Sequence, residues 1–187
     1  ISEPVAATPA EIVLYAREAS AISGAWRLVA DATAAGGSRI AHPDAGEPKL
    51  TAPLAAPTHA FELSFTADAG RPYRLWIRGR AAQNAYFNDS VYVQFSGSVT
   101  SSGVPRFRRG STSAATYILE DCGGCATSGW GWQDNGYGAG VLGPAIYFAT
   151  SGRQTLRIQT REDGLSIDQV VLSPALYLTS PPGALRD

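Results

Sequence analysis

Apolar and polar positions alternate along much of the chain. At residues 60–66, Phe61, Leu63 and Phe65 point one way while Glu62 and Ser64 point the other, which is the period of a half-buried strand. Tyr73, Leu75 and Ile77 alternate in the same way with Arg74, Trp76 and Arg78, Val91, Val93 and Phe95 with Tyr92 and Gln94, and Leu156 and Ile158 with Arg157 and Gln159. Further strands are predicted over residues 11–17, 26–30, 116–120, 145–149 and 166–172, each bounded by Gly, Pro, Asp or Ser. No stretch carries a sustained helical stripe with caps. With 20 Gly and 12 Pro as punctuation, the pattern predicts an all-β fold. An antiparallel β-sandwich is the economical form, because two sheets bury each other's apolar faces without helices.

Two connections are too long for hairpin turns: residues 41–57, rich in Pro and Ala, and residues 97–147, which hold Arg106, Arg108, Arg109 and two of the four tryptophans. Connections of that size are functional or mobile. Residues 1–10 read as a linker, 11–173 as the folded domain and 174–187, with Pro181, Pro182 and Gly183, as a second linker. The start at Ile1 without methionine, and without a basic leader, reads as an excised or processed piece.

The 187 residues are 44% hydrophobic and 17% charged, enough for a core of their own, so wholesale disorder is excluded. Fifteen basic and 16 acidic residues leave a net charge of −1, which supplies no bulk attraction to nucleic acid or anionic membrane. No apolar run approaches the roughly 20 residues of a membrane helix, so neither nucleic acid nor membrane insertion is expected. Cys122 and Cys125 stand in a Cys-Gly-Gly-Cys loop with neither a second pair nor a nearby histidine. A loop-closing disulfide is favoured over zinc or a thioredoxin-like role, and it points to a secreted or extracytoplasmic setting.

The two histidines, His42 and His59, lie beside Pro-rich or strand-edge sequence, and the chain lacks hydrolase, metalloprotease, phosphate-loop and dinucleotide motifs. The carboxylates Asp89, Glu120, Asp121 and Asp134 in or near loops would be needed for glycoside hydrolysis, but solvated surface charge explains them as well. The most informative stretch is residues 127–140, TSGWGWQDNGYGAG. Trp130 and Trp132 alternate on a glycine-rich backbone, followed by Gln133, Asp134, Asn135 and Tyr137, where a core strand would place aliphatic neighbours. That mixture suits a sugar, whose C–H face stacks on indole while amides and carboxylates bond vicinal hydroxyls. The alternative is that one or both indoles cap the core. Tyr86, Asn88 and Asp89 form a second aromatic and polar group, with a salt bridge from Asp89 to Arg78 or Arg80 as the structural alternative.

Taken in order, Tyr15 to Glu18 (YARE), Trp26, residues 31–37 (DATAAGG), 73–78 (YRLWIR), 88–93 (NDSVYV), 129–132 (GWGW) and 152–172 (GRQTLRIQTREDGLSIDQVVL) resemble the carbohydrate-binding modules related to families 6 and 35 and to malectin-like domains. The resemblance covers roughly residues 11–173 and implies a jelly-roll sandwich of galactose-binding-like type. It further implies a non-catalytic module, joined to other domains of a polysaccharide-active protein. It also implies a structural calcium, for which the matching side chains are Glu18 and Asp168, with carbonyls near residues 37–39 completing the shell. Arg17 stands where the family has alanine, and strand alternation would send it to the opposite face. The expected ligand is a polysaccharide or oligosaccharide held by Trp130, Trp132, Tyr86, Asn88, Asp89, Tyr137 and Asp134. A structural or protein-interaction sandwich and a small glycan-active enzyme using Asp89 and Asp134 are the competing readings.

Overall fold

A computed structural model describes residues 10–184, so the expected linker over residues 1–10 lies, save for Ala10, outside the described residues. The described residues form twelve strands: β1 (Ile12–Tyr15), β2 (Arg27–Ala30), β3 (Ser38–Ala41), β4 (Ala60–Ala67), β5 (Arg74–Ala81), β6 (Ser90–Phe95), β7 (Ser98–Val99), β8 (Ala115–Ile118), β9 (Gly131–Gln133), β10 (Tyr147–Phe148), β11 (Gly152–Thr160) and β12 (Leu165–Ser173). One sheet has the order β2-β3-β12-β5-β9, with β1 also pairing β12, and the second has β4-β11-β6-β8. Every strand pair is antiparallel, including the small β7-β10 ladder. The expected antiparallel β-sandwich is the observed fold.

The alternation explains why the sheets stack. Leu75 and Ile77 of β5, Phe61, Leu63 and Phe65 of β4, Val91, Val93 and Phe95 of β6, and Leu156 and Ile158 of β11 all enter one buried core. Trp26, fully buried, closes the core edge-on against Phe61 at 5.0 Å. Phe148 closes it elsewhere, edge-on to Phe65, Tyr73 and Phe95. Each large apolar side chain removed from water contributes about 1.5–3 kcal/mol, so this shared interior holds the sheets together.

The outer face of the first sheet positions everything that follows. Strand β12 is buried along its whole length, because loops cover the side away from the core. Its ladder with β5 slips between Ile167 and Gln169, a bulge that turns Asp168 toward the outer face while Ile167 and Val170 keep their core places. Three strands escaped the sequence pattern, the short β7 among them. β3 (SRIA) has a single core residue, Ile40, and β9 (GWQ) pairs with β5 through Trp132 opposite Arg78, so part of the glycine-rich tryptophan segment is strand and not loop.

The segment after Ser173 does not simply leave the domain. Leu176 N–H donates to Glu11 Oε1 at 2.9 Å, Trp76 Nε1 donates to the Tyr177 carbonyl at 2.7 Å, and Arg74 Nε donates to the Leu178 carbonyl at 3.0 Å. Residues 176–178 therefore cover the outer face beside Trp76; the expected linker character of residues 185–187 lies outside the described residues.

Candidate functional site

Strand β5 sends Arg74, Trp76, Arg78 and Arg80 to the outer face, since Leu75 and Ile77 take the core side. Each of the four fastens a different surface segment. Arg74 pairs with Asp134 at 3.2 Å, Trp76 holds the tail, Arg78 pairs with Asp168, and Arg80 pairs with Asp31 at 2.8 Å. Asp31 also pairs with Arg39 at 3.1 Å. The hydroxyl and amide of Thr33, and then Arg80, hold the Asp31 carboxyl at about 2, below its ordinary value.

Two open clefts flank this column. The first, of about 730 Å³, follows directly from the ladder register. Arg27 stands opposite Ala41, Ala41 opposite Ser166, and Ser166 opposite Arg80, with Val29 and Arg39 on the next rung. Small residues form its floor, three arginines its walls, and Gln83 and Asn84 its rim. Gln83 and Asn84 both hold positive φ, 57° and 54°, a conformation that residues with a Cβ adopt seldom. Asn84 Oδ1 accepts from the Gly129 amide at 2.9 Å, which ties this rim to the tryptophan segment.

The second cleft, of about 480 Å³, is built on Trp132 and Trp76. Leu119 and Leu142 add apolar wall, Gln133 and Asp121 add polar groups, and Thr179 and Pro181 of the tail form one lip. Trp132 Nε1 and Thr127 Oγ1 are buried without a hydrogen-bond partner. An unmade bond at a buried polar group costs about 1–3 kcal/mol. Cys122 and Cys125 are joined as a disulfide, which closes the loop whose Cys125 borders this cleft.

The expected ligand residues separate into groups. Trp130 and Trp132 share the outer face, but the Trp130 ring already lies under the Arg78 and Arg80 guanidinium groups, 4.9 and 4.6 Å from its centroid. Its Nε1 donates to Thr33 Oγ1 at 3.1 Å. Trp132 is the indole that faces a cleft. Tyr86 and Tyr137 are exposed, by 67% and 52%, yet line neither cleft. Asn88, Asp89 and Asp134 point inward and are buried, a correction to the expectation that they meet a ligand. Asn88 Nδ2 donates to Asp44 at 3.0 Å, Asp89 accepts the Glu120 amide at 2.7 Å, and Asp134 accepts the Gly136 and Gly143 amides at 2.8 and 2.9 Å besides Arg74. These polar groups satisfy loop backbone that would otherwise lack partners. Asp89 does not pair with Arg78 or Arg80 either; those arginines go to Asp168 and Asp31.

The expected calcium ligands are also engaged. Glu18 Oε2 accepts the Tyr15 amide at 2.6 Å. Asp168 Oδ2 accepts the Ala35 amide at 2.7 Å and the Arg78 guanidinium, and its Oδ1 is buried without a partner. Burial raises the Asp168 pKa against the lowering effect of Ala35 and Arg78. Residues Ala16–Glu18 form a 3-10 turn, so alternation does not carry Arg17 away; its Nη1 donates to the Gly36 carbonyl at 3.2 Å. One guanidinium, that of Arg78, thus occupies an oxygen that the expected calcium would use. Glu18 Oε2 and Asp168 Oδ2 already have donors from within the chain, which a calcium ion would have to displace.

The structure brings together two residues that sequence reasoning set aside. His42, at the end of β3, and His59, at the start of β4, meet across the Pro-rich connection with Nε2 and Nδ1 2.8 Å apart. The available signal was that the two histidines bracket the same connection.

No family model matches the sequence, and no curated protein matches it. Among solved structures, the chain is similar to a GH26-CBM35 β-(1,4)-mannanase from Podospora anserina, at 13% identity and a TM-score of 0.51 over 92% of this chain and 29% of that one. A family 35 carbohydrate-binding module from Clostridium thermocellum aligns at 12% identity over 89% of this chain and all of its own, with a TM-score of 0.49. The CBM36-1 domain of a multidomain xylanase from the hindgut metagenome of Trinervitermes trinervoides aligns at 13% identity over 90% of this chain and all of its own, with a TM-score of 0.45. This chain spans about three-tenths of the mannanase. At the level of the fold, the resemblance read from the sequence holds: the chain has the β-sandwich found in a mannanase that carries a family 35 module.

Proposed function

We propose that the chain is a non-catalytic carbohydrate-binding module that receives a polysaccharide or oligosaccharide in the Trp132 cleft. The observation that carries this reading is Trp132 itself. It is a partly exposed indole in an open cleft that also offers Gln133 and Asp121. A pyranose ring matches that set, with an apolar face for the indole and hydroxyls for the amide and carboxylate. The loop carboxylates support holding and not turnover, because Asp89, Glu120 and Asp134 accept backbone amides and Asp121 accepts Gln133. The disulfide is consistent with a secreted or extracytoplasmic protein, and the module reading implies attachment to further domains of a parent polysaccharide-active protein.

Calorimetry or affinity electrophoresis against a polysaccharide panel tests the reading. Replacing Trp132 by Ala is expected to weaken the best ligand by about 1–3 kcal/mol, roughly 5- to 150-fold, with Trp132→Phe retaining part of the affinity. Retention by no glycan, or undiminished binding by Trp132→Ala, overturns it.

A further inference from the structure

The connection between β3 and β4 is pinned at each point that matters. Asp163 Oδ2 accepts the amides of Ala45 and Glu47 at 2.7 and 2.9 Å. The Leu50 amide donates to the Arg161 carbonyl at 2.8 Å, and the Thr160 amide donates to the His59 carbonyl at 3.1 Å. This clamping brings three side chains from residues 42, 47 and 59 to one point. Glu47 Oε2 lies 3.9 Å from His42 Nε2 and 3.8 Å from His59 Nδ1, and the two nitrogens are 2.8 Å apart.

The point equidistant from those three atoms is about 2.1 Å from each within their plane and about 2.2 Å from each when raised out of it as a tetrahedral ion must be, close to the bond lengths of zinc to imidazole nitrogen and carboxylate oxygen. A tetrahedral ion with such bonds has ligand-to-ligand edges of roughly 3.4 Å, and the observed edges straddle that value. The tautomer is also set correctly. His42 Nδ1 lies 3.1 Å from the Pro43 carbonyl and donates to it, which leaves Nε2 with its lone pair directed at His59 and Glu47. Metal-bound histidines are oriented in this way by a carbonyl on the other ring nitrogen.

The His42 side chain is fully buried, packed edge-on against Trp26 at 5.3 Å. His59 and Glu47 are 30% and 39% exposed, so an ion could enter without unfolding the core. His59 has its place reserved by Gly24, where φ is +67° and a Cβ would come within 2.7 Å of His59 Cγ. His59 and Glu47 also line a small cleft of about 230 Å³ with Pro48, Leu50 and Pro57. That cleft leaves room for a fourth ligand.

We infer that His42, Glu47 and His59 form a binding site for one divalent transition-metal ion of the zinc class. The ion clasps the Pro-rich connection to the sandwich and keeps one coordination position open to the small cleft. Imidazole donors select zinc over calcium, which prefers six to eight oxygens. The site is independent of the glycan reading, since none of its three side chains lines the Trp132 cleft.

The probe is zinc itself, titrated calorimetrically into the chelator-stripped protein, with calcium as a control. One equivalent is expected to bind, raising Tm by about 5–10 °C at hundredfold excess over Kd, while calcium neither binds there nor competes. His59→Ala, at a partly exposed position that spares the core, abolishes that equivalent, and Glu47→Gln weakens it at least about tenfold. Both variants keep the Tm of the metal-free wild type to within a few degrees. Failure of the wild type to bind an equivalent overturns the inference and leaves a simple His–His hydrogen bond. Binding by both variants as tight as wild type overturns it equally, by placing the ion elsewhere.

Discussion

Replacing Asp134 by Ala separates a residue that meets ligand from one that builds the place where ligand sits. Its side chain is wholly buried and accepts three donors: the amides of Gly136 and Gly143 and the Arg74 guanidinium. Hydrogen bonds to a charged group each contribute about 1.5–3 kcal/mol. The larger consequence is that Arg74, only 13% exposed, loses its counter-charge. Breaking a buried pair from one side costs about 3–5 kcal/mol. Arg74 keeps its bonds to the carbonyls of Gly143 and Leu178, which holds the expected loss to about 3–5 kcal/mol in total and not the sum of every bond. For a chain of this size that lowers Tm by roughly 6–20 °C. Urea unfolding followed by tryptophan fluorescence reads the loss, and Asp134→Asn, which retains an acceptor, loses less. Glycan affinity should fall along with stability, because the loop from Asp134 to Gly143 carries Gly140, Val141 and Leu142 of the cleft. A variant that loses under about 1 kcal/mol of stability yet fails to bind would refute this reasoning and restore Asp134 as a direct sugar contact.

Two further outcomes follow from the buried charges. Burial, with the neighbouring Glu162 carboxylate, raises Asp89 from 3.8 to about 7, whereas Glu162, despite its own burial, is held below its ordinary value by Lys49 and Ser90. The folded chain keeps a proton on Asp89 that the unfolded chain releases above about pH 4, so the contribution of Asp89 to stability is complete below that pH and is lost as pH rises through about 7. Urea midpoints of wild type and Asp89→Asn should therefore converge or cross between pH 4 and 8 in favour of the variant; a difference that moves the other way removes the argument. Calcium added to the metal-free protein should leave Tm within roughly 1 °C, since the Tyr15 amide already bonds Glu18 and the Ala35 amide and Arg78 already bond Asp168; a rise of several degrees would show that these partners yield to it.

The sandwich was legible because alternation is a direct consequence of strand geometry, and residues such as Phe61, Leu63 and Phe65 or Leu75 and Ile77 entered the core as their spacing required. β9 was not legible, because it is three residues long and begins on Gly131, and pairing with β5 is decided by a partner about fifty residues away. The polar loop residues misled for a related reason. A carboxylate that meets a ligand and one that satisfies turn amides have the same sequence surroundings, and only burial tells Asp134 and Asp89 from an exposed acid. Arg17 shows the limit of alternation, which ends where β1 gives way to a 3-10 turn. The histidine pair needed a folded connection before residues 42, 47 and 59 could be neighbours.

The outer column of β5 joins these observations physically. Its four side chains lie about 7 Å apart along one strand face, and each holds one element of the surface: Arg74 the loop after Asp134, Trp76 the tail, Arg78 the bulge residue Asp168, and Arg80 the turn at Asp31. Trp76 lines the Trp132 cleft, and Arg80 forms a wall of the arginine-lined cleft. Trp130 bridges the last two by lying under both guanidinium groups. A cation over an indole is worth about 0.5–2 kcal/mol depending on its desolvation, so Trp130 acts on this face by fixing Arg78 and Arg80 and not by offering its ring to a sugar. Its removal should loosen the turn at Asp31 and the Asp168 contact while leaving Trp132 in place. The two tryptophans that the sequence presents as equivalent therefore have different duties, one in holding the arginine column and one in facing the cleft.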